Sequence, residues 1–364
     1  MSKKITYISL EQNAIKAKLG GYSHIKGVIQ ALQENYELTF VGHGAEDIKE
    51  QFPGVNFCEL SANNYYFQVL KYLLSDKTTN VFLFRKSLVG MYVAIIAYIF
   101  QLICNRKQKY IFEFNAISGD YRLNSKFSIK AMYFINILPA ALTNGVYCVT
   151  KSVYNRLAES TFLSTRKLIY CPNGGPEPRV DDENSEQDNS NINIYYYGSE
   201  RPFYHIEFLI SQINKLELSD SDRKCTLHLI GPDMNGHVCD NVKHYGAMDL
   251  DRFKKVVIAN GGQSWGVVPL DKFDAGAYID PIKTFDYLAL GIPVLHSNNC
   301  LQDFDENSLI SKKYEKTDLL SSLNALFSMK NSEYSEYVGN VKDKYYLYQW
   351  PARLTKLREY IDSL

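Results

Sequence analysis

The stretch Asp280-Pro-Ile-Lys-Thr-Phe-Asp-Tyr-Leu-Ala-Leu-Gly-Ile-Pro-Val294 reads as a short helix running into a buried strand. Asp280 suits the N-cap, and Pro281 suits the first helical position because the N–H that proline lacks would have no intrahelical partner there. Gly291 falls where the chain turns left-handed to leave the helix, Pro293 prevents its continuation, and Ile292-Pro-Val-Leu295 opens a strand. Lys283 is the residue that does not fit. It lies in the first turn, where aligned peptide dipoles and free N–H groups already make the potential positive. A cation is unfavourable there unless an anion shares the site, and helix N-termini accept phosphates. Asp286 follows at i+3, placed to pair with Lys283 or to accept hydrogen bonds from a ligand hydroxyl. The competing reading is a solvated lysine whose stem covers apolar surface.

Outward from this segment, strand-like runs alternate with helical stretches. In the second half they are Ile192-Asn-Ile-Tyr-Tyr-Tyr-Gly198, Cys225-Thr-Leu-His-Leu-Ile-Gly231, Val242-Lys-His-Tyr-Gly246 and Gly266-Val-Val-Pro-Leu270. The first half carries Lys4 to Leu10, Glu37 to Gly42, Val55 to Leu60, Asn80 to Arg85, Lys109 to Phe114 and Gly145 to Thr150, with a helix beginning near Tyr22. Near-continuous apolar strands separated by helices predict parallel sheets covered on both faces, with ligands at the carboxyl ends of the strands. Between the halves, Pro176 to Ser190 is acidic and almost without apolar residues, which predicts an exposed loop. The domains are therefore drawn as 1–174, a linker at 175–190, 191–345, and a terminal segment 346–364.

At 364 residues the chain is long enough for two domains with separate cores. Lys plus Arg and Asp plus Glu number 40 each, so no overall field recruits nucleic acid. Seven scattered cysteines, without a C-x-x-C pair, predict reduced core thiols and a cytoplasmic setting. The seven histidines show no metal-ligand spacing, and no metal or cofactor is expected. The N-terminus enters a strand pattern directly, with no signal-peptide apolar region. Ser87 to Asn105 is uncharged and long enough to span a bilayer, but it lies between two strands of one sheet. That placement favours a helix buried on the sheet or dipping into a membrane surface.

Pro281, Lys283, Asp286-Tyr287, Ala289, Gly291 and Pro293-Val294 resemble the donor-binding segment of family 4-type nucleotide-sugar glycosyltransferases of bacterial polysaccharide assembly. A Pro-x-Lys-x-x-Glu-Tyr-x-Ala-x-Gly-x-Pro-Val pattern is common in them; Asp286 replaces the usual Glu. The family's other acidic residue falls on Tyr278, so whether transfer retains or inverts stereochemistry stays open. Cys171-Pro-Asn-Gly174, Tyr197-Gly198 with Arg201, Leu229-Ile-Gly231-Pro-Asp and His244-Tyr-Gly246 resemble further family landmarks. Trp350 resembles the start of the terminal helix that crosses back to the first domain. The resemblance implies an α/β, GT-B architecture: two Rossmann-like domains with parallel sheets facing across a cleft.

It also implies roles. Lys283, Arg201 and the N–H groups near Pro281 and Thr284 would hold the donor diphosphate, whose charge grows as the glycosidic bond breaks. Asp286 would accept from the ribose hydroxyls. The base would lie near Gly231 to Asp233 and Gly246, and the donor sugar near Gly266 to Pro269 and Lys272 to Gly276. Gly20-Gly21 lacks the dinucleotide G-x-G-x-x-G spacing, but in the family such a loop approaches the diphosphate. An inverting enzyme needs a general base, for which the loop Glu113 to Asp120 offers Asp120 and Glu113. Leu88 to Cys104, with Arg106, Lys107, Lys109, Arg122, Lys126 and Lys130, combines apolar and basic character suited to a lipid-linked acceptor and peripheral contact with the inner membrane surface. Two other readings fit the same architecture: a nucleotide-sugar epimerase and a non-catalytic two-domain protein that closes on a small ligand.

Overall fold

The computed structural model describes residues 2–11, 20–85, 87–115, 126–160, 162–179, 191–200, 204–216, 223–232, 240–270, 280–297, 304, 309–314 and 319–364. The chain divides into two compact units. Unit 1 comprises 1–174, 278–280 and 350–364; unit 2 comprises 175–277 and 281–349.

Unit 1 runs β1 (Lys4–Ser9), α1 (Gly20–Gln33), β2 (Glu37–Gly42), β3 (Asn56–Glu59), α2 (Tyr65–Ser75), β4 (Val81–Arg85), α3 (Leu88–Ile103), β5 (Lys109–Phe114), α4 (Lys126–Leu142), β6 (Gly145–Cys148), α5 (Lys151–Ala158) and β7 (Leu168–Tyr170). Its seven strands form one sheet in the order β3-β2-β1-β4-β5-β6-β7, and every pairing is parallel. Alternate residues feed separate cores because successive side chains point to opposite faces. Ile5, Tyr7, Leu83 and Ile111 pack with α1, while Ile8, Phe82, Phe84 and Phe112 pack with α2, α3 and α5. This two-sided burial is why the strands read as continuous apolar runs.

Unit 2 runs β8 (Asn191–Tyr197), α6 (Ile206–Asn214), β9 (Lys224–Ile230), β10 (Val242–His244), α7 (Leu250–Asn260), β11 (Gln263–Val268), α8 (Lys283–Ala289), β12 (Val294–Ser297), β13 (Ser311–Tyr314), α9 (Leu319–Phe327) and α10 (Asn331–Lys344). Its six-stranded parallel sheet is ordered β10-β9-β8-β11-β12-β13. Each sheet thus grows outward in both directions from its first strand. Ligands of such sheets bind at the carboxyl ends where the order reverses, here beside β1 and β4 in unit 1 and beside β8 and β11 in unit 2.

The last helices, α11 (Trp350–Arg353) and α12 (Thr355–Ser363), belong to unit 1. Trp350, Leu354, Leu357 and Ile361 recur at helical spacing and join the α1 face of its core. Gly27 has to be glycine, since a Cβ there would fall within the Trp350 indole.

Three local expectations change. The helix of the diagnostic segment begins at Lys283 with Ile282 at its N-cap, and no side chain caps it. The Asp280 carboxylate instead accepts the Asn173 backbone N–H at 2.8 Å. The helix end is as read: Gly291 has φ 74° and donates to Leu288, and Ile292 donates to Tyr287, so both orphan carbonyls are satisfied. The strand then starts at Val294 rather than Ile292. Residues 175–179 are held rather than solvated: Gly175 donates to Tyr348 O, Tyr345 Oη donates to Pro176 O, and Arg179 N donates to Ala289 O.

Candidate active site

Unit 2's strand ends are built from glycines in left-handed backbone. Gly198 (φ 131°) follows β8, Gly231 (φ 107°) follows β9, and Gly246 (φ 64°) lies just beyond β10. Gly198 N donates to Ile230 O at 2.9 Å and Gly231 N to Gly246 O at 2.8 Å, tying the three together. A Cβ on Gly231 would strike the Gly198 carbonyl, so the two chains approach as closely as glycine permits. The result is a row of bare backbone along the carboxyl ends of β8, β9 and β10, beginning at the reversal point of the sheet.

The helix α8 is pinned to the same place by Tyr287. Its hydroxyl accepts from Tyr197 N at 2.8 Å on β8 and donates to Val267 O at 3.3 Å on β11. Its ring lies where a side chain at position 266 would otherwise be, which explains the glycine there. This anchoring delivers Lys283 to the end of β8. Lys283 is only 8 % exposed, and among the described residues its Nζ has no hydrogen-bond partner. The ammonium lies 3.5 Å from the ring centroid of Tyr204 and 3.9 Å from that of Tyr196. Burial pushes its pKa well below that of a free lysine, with Asp286 pulling the other way. The two ring faces also favour the charged form. Beside it Thr284, fully buried, leaves its Oγ1 without a partner among the described residues.

Asp286 is partly exposed, one turn from Lys283. Burial raises its pKa to about 7, against the opposing pull of Arg179 and Lys283. Arg179 also forms an ion pair with Asp251. Sequence reading missed this arginine because it sits in a stretch whose composition suggests a linker. It also passed over Asp249-Leu-Asp251, an Asp-x-Asp triplet of the kind that can hold a diphosphate's metal. Here Asp249 caps α7 by accepting Arg252 N at 2.9 Å, and Asp251 pairs with Arg179, so both carboxylates are engaged locally. The triplets at 220–222 and 303–305 have their carboxylates outside the described residues.

Unit 1 holds its own buried charge at the ends of β1, β4 and β5. Glu113 is fully buried, and its Oε2 accepts from Tyr7 Oη at 3.2 Å and from Tyr147 Oη. Its Oε1 pairs with His24 Nε2 at 2.8 Å and lies 4.0 Å from Arg85 Nε. Arg85 in turn pairs with Glu11 at 3.1 Å and donates to the Gly21 carbonyl at 3.0 Å. The other ring nitrogen of His24 meets Asn173 Oδ1 at 2.7 Å. Burial alone would raise the Glu113 pKa, but His24, Arg85 and Tyr147 override it and hold the carboxyl at about 2. A carboxylate so matched is a weak base near neutral pH, and both nitrogens of His24 are occupied. The cluster ties β1, β4, β5, β6 and α1 together.

Of the residues singled out from sequence, the structure places Lys283 and Thr284 at the start of α8, with the Lys283 ammonium beside Gly198 at the reversal point of unit 2. Gly231 and Gly246 lie beyond the ends of the next strands β9 and β10, and Pro281 is buried just before α8. Asp286 borders them, and Gly21 and Glu113 meet through Arg85 in unit 1. Asp120, Arg201, Asp233, Lys272 to Gly276, Tyr278, Arg122 and the side chains of Lys126 and Lys130 lie outside the described residues. Among the described residues no helix is long and apolar enough to cross a membrane.

No protein-family model matches the chain, and no curated protein matches its sequence. Known structures share its fold over nearly the whole length. A glycosyltransferase from Rickettsia africae ESF-5 is 12% identical, with TM-score 0.73 over 100% of this chain and 98% of that one. Anabaena HepE, solved in complex with UDP, is 10% identical, with TM-score 0.74 over 99% and 100%. The lipopolysaccharide outer core galactosyltransferase WaaB is 12% identical, with TM-score 0.65 over 99% of each chain. The chain has the GT-B fold of these glycosyltransferases, two Rossmann-like units with parallel sheets.

Proposed function

We propose that this protein is a metal-independent glycosyltransferase that moves a sugar from a nucleotide-diphosphate donor onto a lipid-linked glycan. The observation that carries the reading is the Lys283 ammonium: buried at the reversal point of a parallel sheet, beside the bare backbone of Gly198, with no hydrogen-bond partner among the described residues. A buried charge without a directly bonded counter-ion costs several kcal/mol, the Asp286 carboxyl acts on Lys283 only through space, and a diphosphate supplies the direct partner. Preorganised cations at a departing diphosphate lower the barrier directly, and losing such a donor costs about 10²–10³ in rate. Thr284 Oγ1 adds a second donor, Arg201 a second cation, and Asp286 accepts from the ribose. The shared fold, which includes a UDP-bound protein, supports a uridine nucleotide as the first ligand to try.

The acceptor side of the reading rests on unit 1. Its α3 and α4 expose Ile96, Ile99, Ile103, Phe134 and Leu138, with Ile103 78 % exposed. Every charged residue within 77–112 and 121–158 is Lys or Arg. Apolar surface on segments whose charged residues are all basic suits an anionic lipid surface or a lipid-diphosphate acceptor on the cytoplasmic membrane face.

A thermal-shift panel of nucleoside diphosphates, each with and without magnesium, tests the donor half. A ligand at a hundred times its dissociation constant should stabilise by about 2.7 kcal/mol. The expected result is a shift with one nucleotide that magnesium leaves unchanged. No shift with any nucleotide contradicts the reading and favours a protein that binds some other small ligand.

A further inference from the structure

Lys283 has a long, flexible side chain, and ordering such a chain is costly in rotamer freedom. Most buried lysines are placed by a carboxylate, which takes up their N–H donors and repels an incoming anion. Here, among the described residues, no carboxylate bonds the ammonium and two aromatic faces meet it. Nζ sits 3.5 Å from the Tyr204 centroid and 3.9 Å from that of Tyr196. The rings stand at 70° to each other with centroids 5.7 Å apart, forming two walls of a corner. Tyr196 is fully buried and fixed by its hydroxyl, which donates to Ser199 O at 2.8 Å. Gly198 also borders the ammonium: an added Cβ there would come within 3.1 Å of Nζ.

We propose that Tyr196 and Tyr204 are positioning residues that cradle the Lys283 ammonium by their ring faces, fixing it for the donor diphosphate while leaving its N–H donors unspent. The inference rests on the reading of Lys283 as the diphosphate ligand. A ring face attracts a cation but offers no lone pair to compete with phosphate oxygens. The ordering of the lysine is complete before the donor arrives, so more of the phosphate interaction appears as affinity. The cradle requires the ring at position 204 and not its hydroxyl, and this separates it from a hydrogen-bonding or purely space-filling role.

Calorimetric titration of UDP into the full chain and a set of variants tests the cradle. Tyr204→Leu should weaken UDP by about tenfold, the size of a desolvated cation–π contact, while Tyr204→Phe binds like the parent. In a Lys283→Met background, Tyr204→Leu should add nothing, because the ring acts only through the lysine. Additive losses in the double variant, or unchanged affinity in Tyr204→Leu, overturn the cradle and leave the role of Lys283 standing. Parent-like UDP affinity in Lys283→Met overturns both. Should Tyr204→Leu fail to fold, phenylalanines of increasing ring fluorination at position 204 weaken the face at constant shape. A stepwise loss of affinity along that series supports the cradle, and a flat response overturns it.

Discussion

Glu113 in unit 1 and Lys283 in unit 2 are both cut off from water beside the reversal point of a parallel sheet, yet they are treated in opposite ways. Glu113 meets two tyrosine hydroxyls, a histidine and an arginine, and its pKa falls to about 2. Lys283 meets two ring faces and, among the described residues, no acceptor, and burial lowers its pKa. A buried charge with every valence matched holds elements together. One kept without its counter-ion is unstable in isolation and persists where a ligand completes it. The same fold thus carries a structural centre in one unit and an open one in the other, and partners rather than burial tell them apart.

The largest effect that tests this contrast is on the closed centre. Glu113→Gln removes the buried carboxylate that pairs with His24 and faces Arg85, which keeps only the half-exposed Glu11, and breaking a buried pair in this way costs about 3–5 kcal/mol. Urea unfolding should show that loss, with UDP affinity of the folded protein unchanged. A Glu113→Gln protein of parent stability would remove the structural reading of the cluster.

Acid and base sharpen the comparison next. Glu113 is depressed from its ordinary 4.5 to about 2, so its contribution is present above about pH 4.5 and is lost as pH falls through about 2. Asp286 is raised from 3.8 to about 7, so the fold favours its protonated form. The stability it confers is complete below about pH 3.8 and is lost as pH rises through about 7. Melting curves across pH 4 to 8 should therefore decline in part through Asp286, and Asp286→Asn should flatten that decline. An unchanged slope in the variant would mean that another group carries it.

The smallest effect concerns the exposed face of α3. Ile103→Asp should change unfolding free energy by no more than about 0.5 kcal/mol, as surface substitutions do. Its retention on vesicles containing anionic phospholipid should nevertheless fall in sedimentation. Equal retention would detach this face from the proposed acceptor surface.

Sequence reading recovered most of the runs that are apolar throughout, because strands buried on both faces cannot hide, but not β7, only three residues long. It missed β13, Ser-Lys-Lys-Tyr, an edge strand whose lysines guard against pairing with another chain and erase the apolar signal. It also started β11 late, since Gln263 and Ser264 are polar yet buried. Lys283 was legible because its oddity is local: a cation in a first helical turn. The partner of Asp280 was not, being 107 residues away at Asn173. Nor was the Glu113 cluster, whose members at 7, 24, 85 and 147 meet only after the sheet forms. The cradle of Tyr196 and Tyr204 is equally invisible in one dimension, where it reads as ordinary strand and loop tyrosine.

The most direct measurement is a calorimetric comparison of UDP binding to the parent chain and to Lys283→Met, paired with the unfolding midpoint of each without ligand. Removing an unpaired buried cation in favour of an apolar side chain of similar length should leave the midpoint equal or higher. The account predicts that UDP affinity nonetheless falls by at least about tenfold, a loss of roughly 1.4 kcal/mol. Undiminished affinity, or a midpoint that drops while affinity holds, would contradict it.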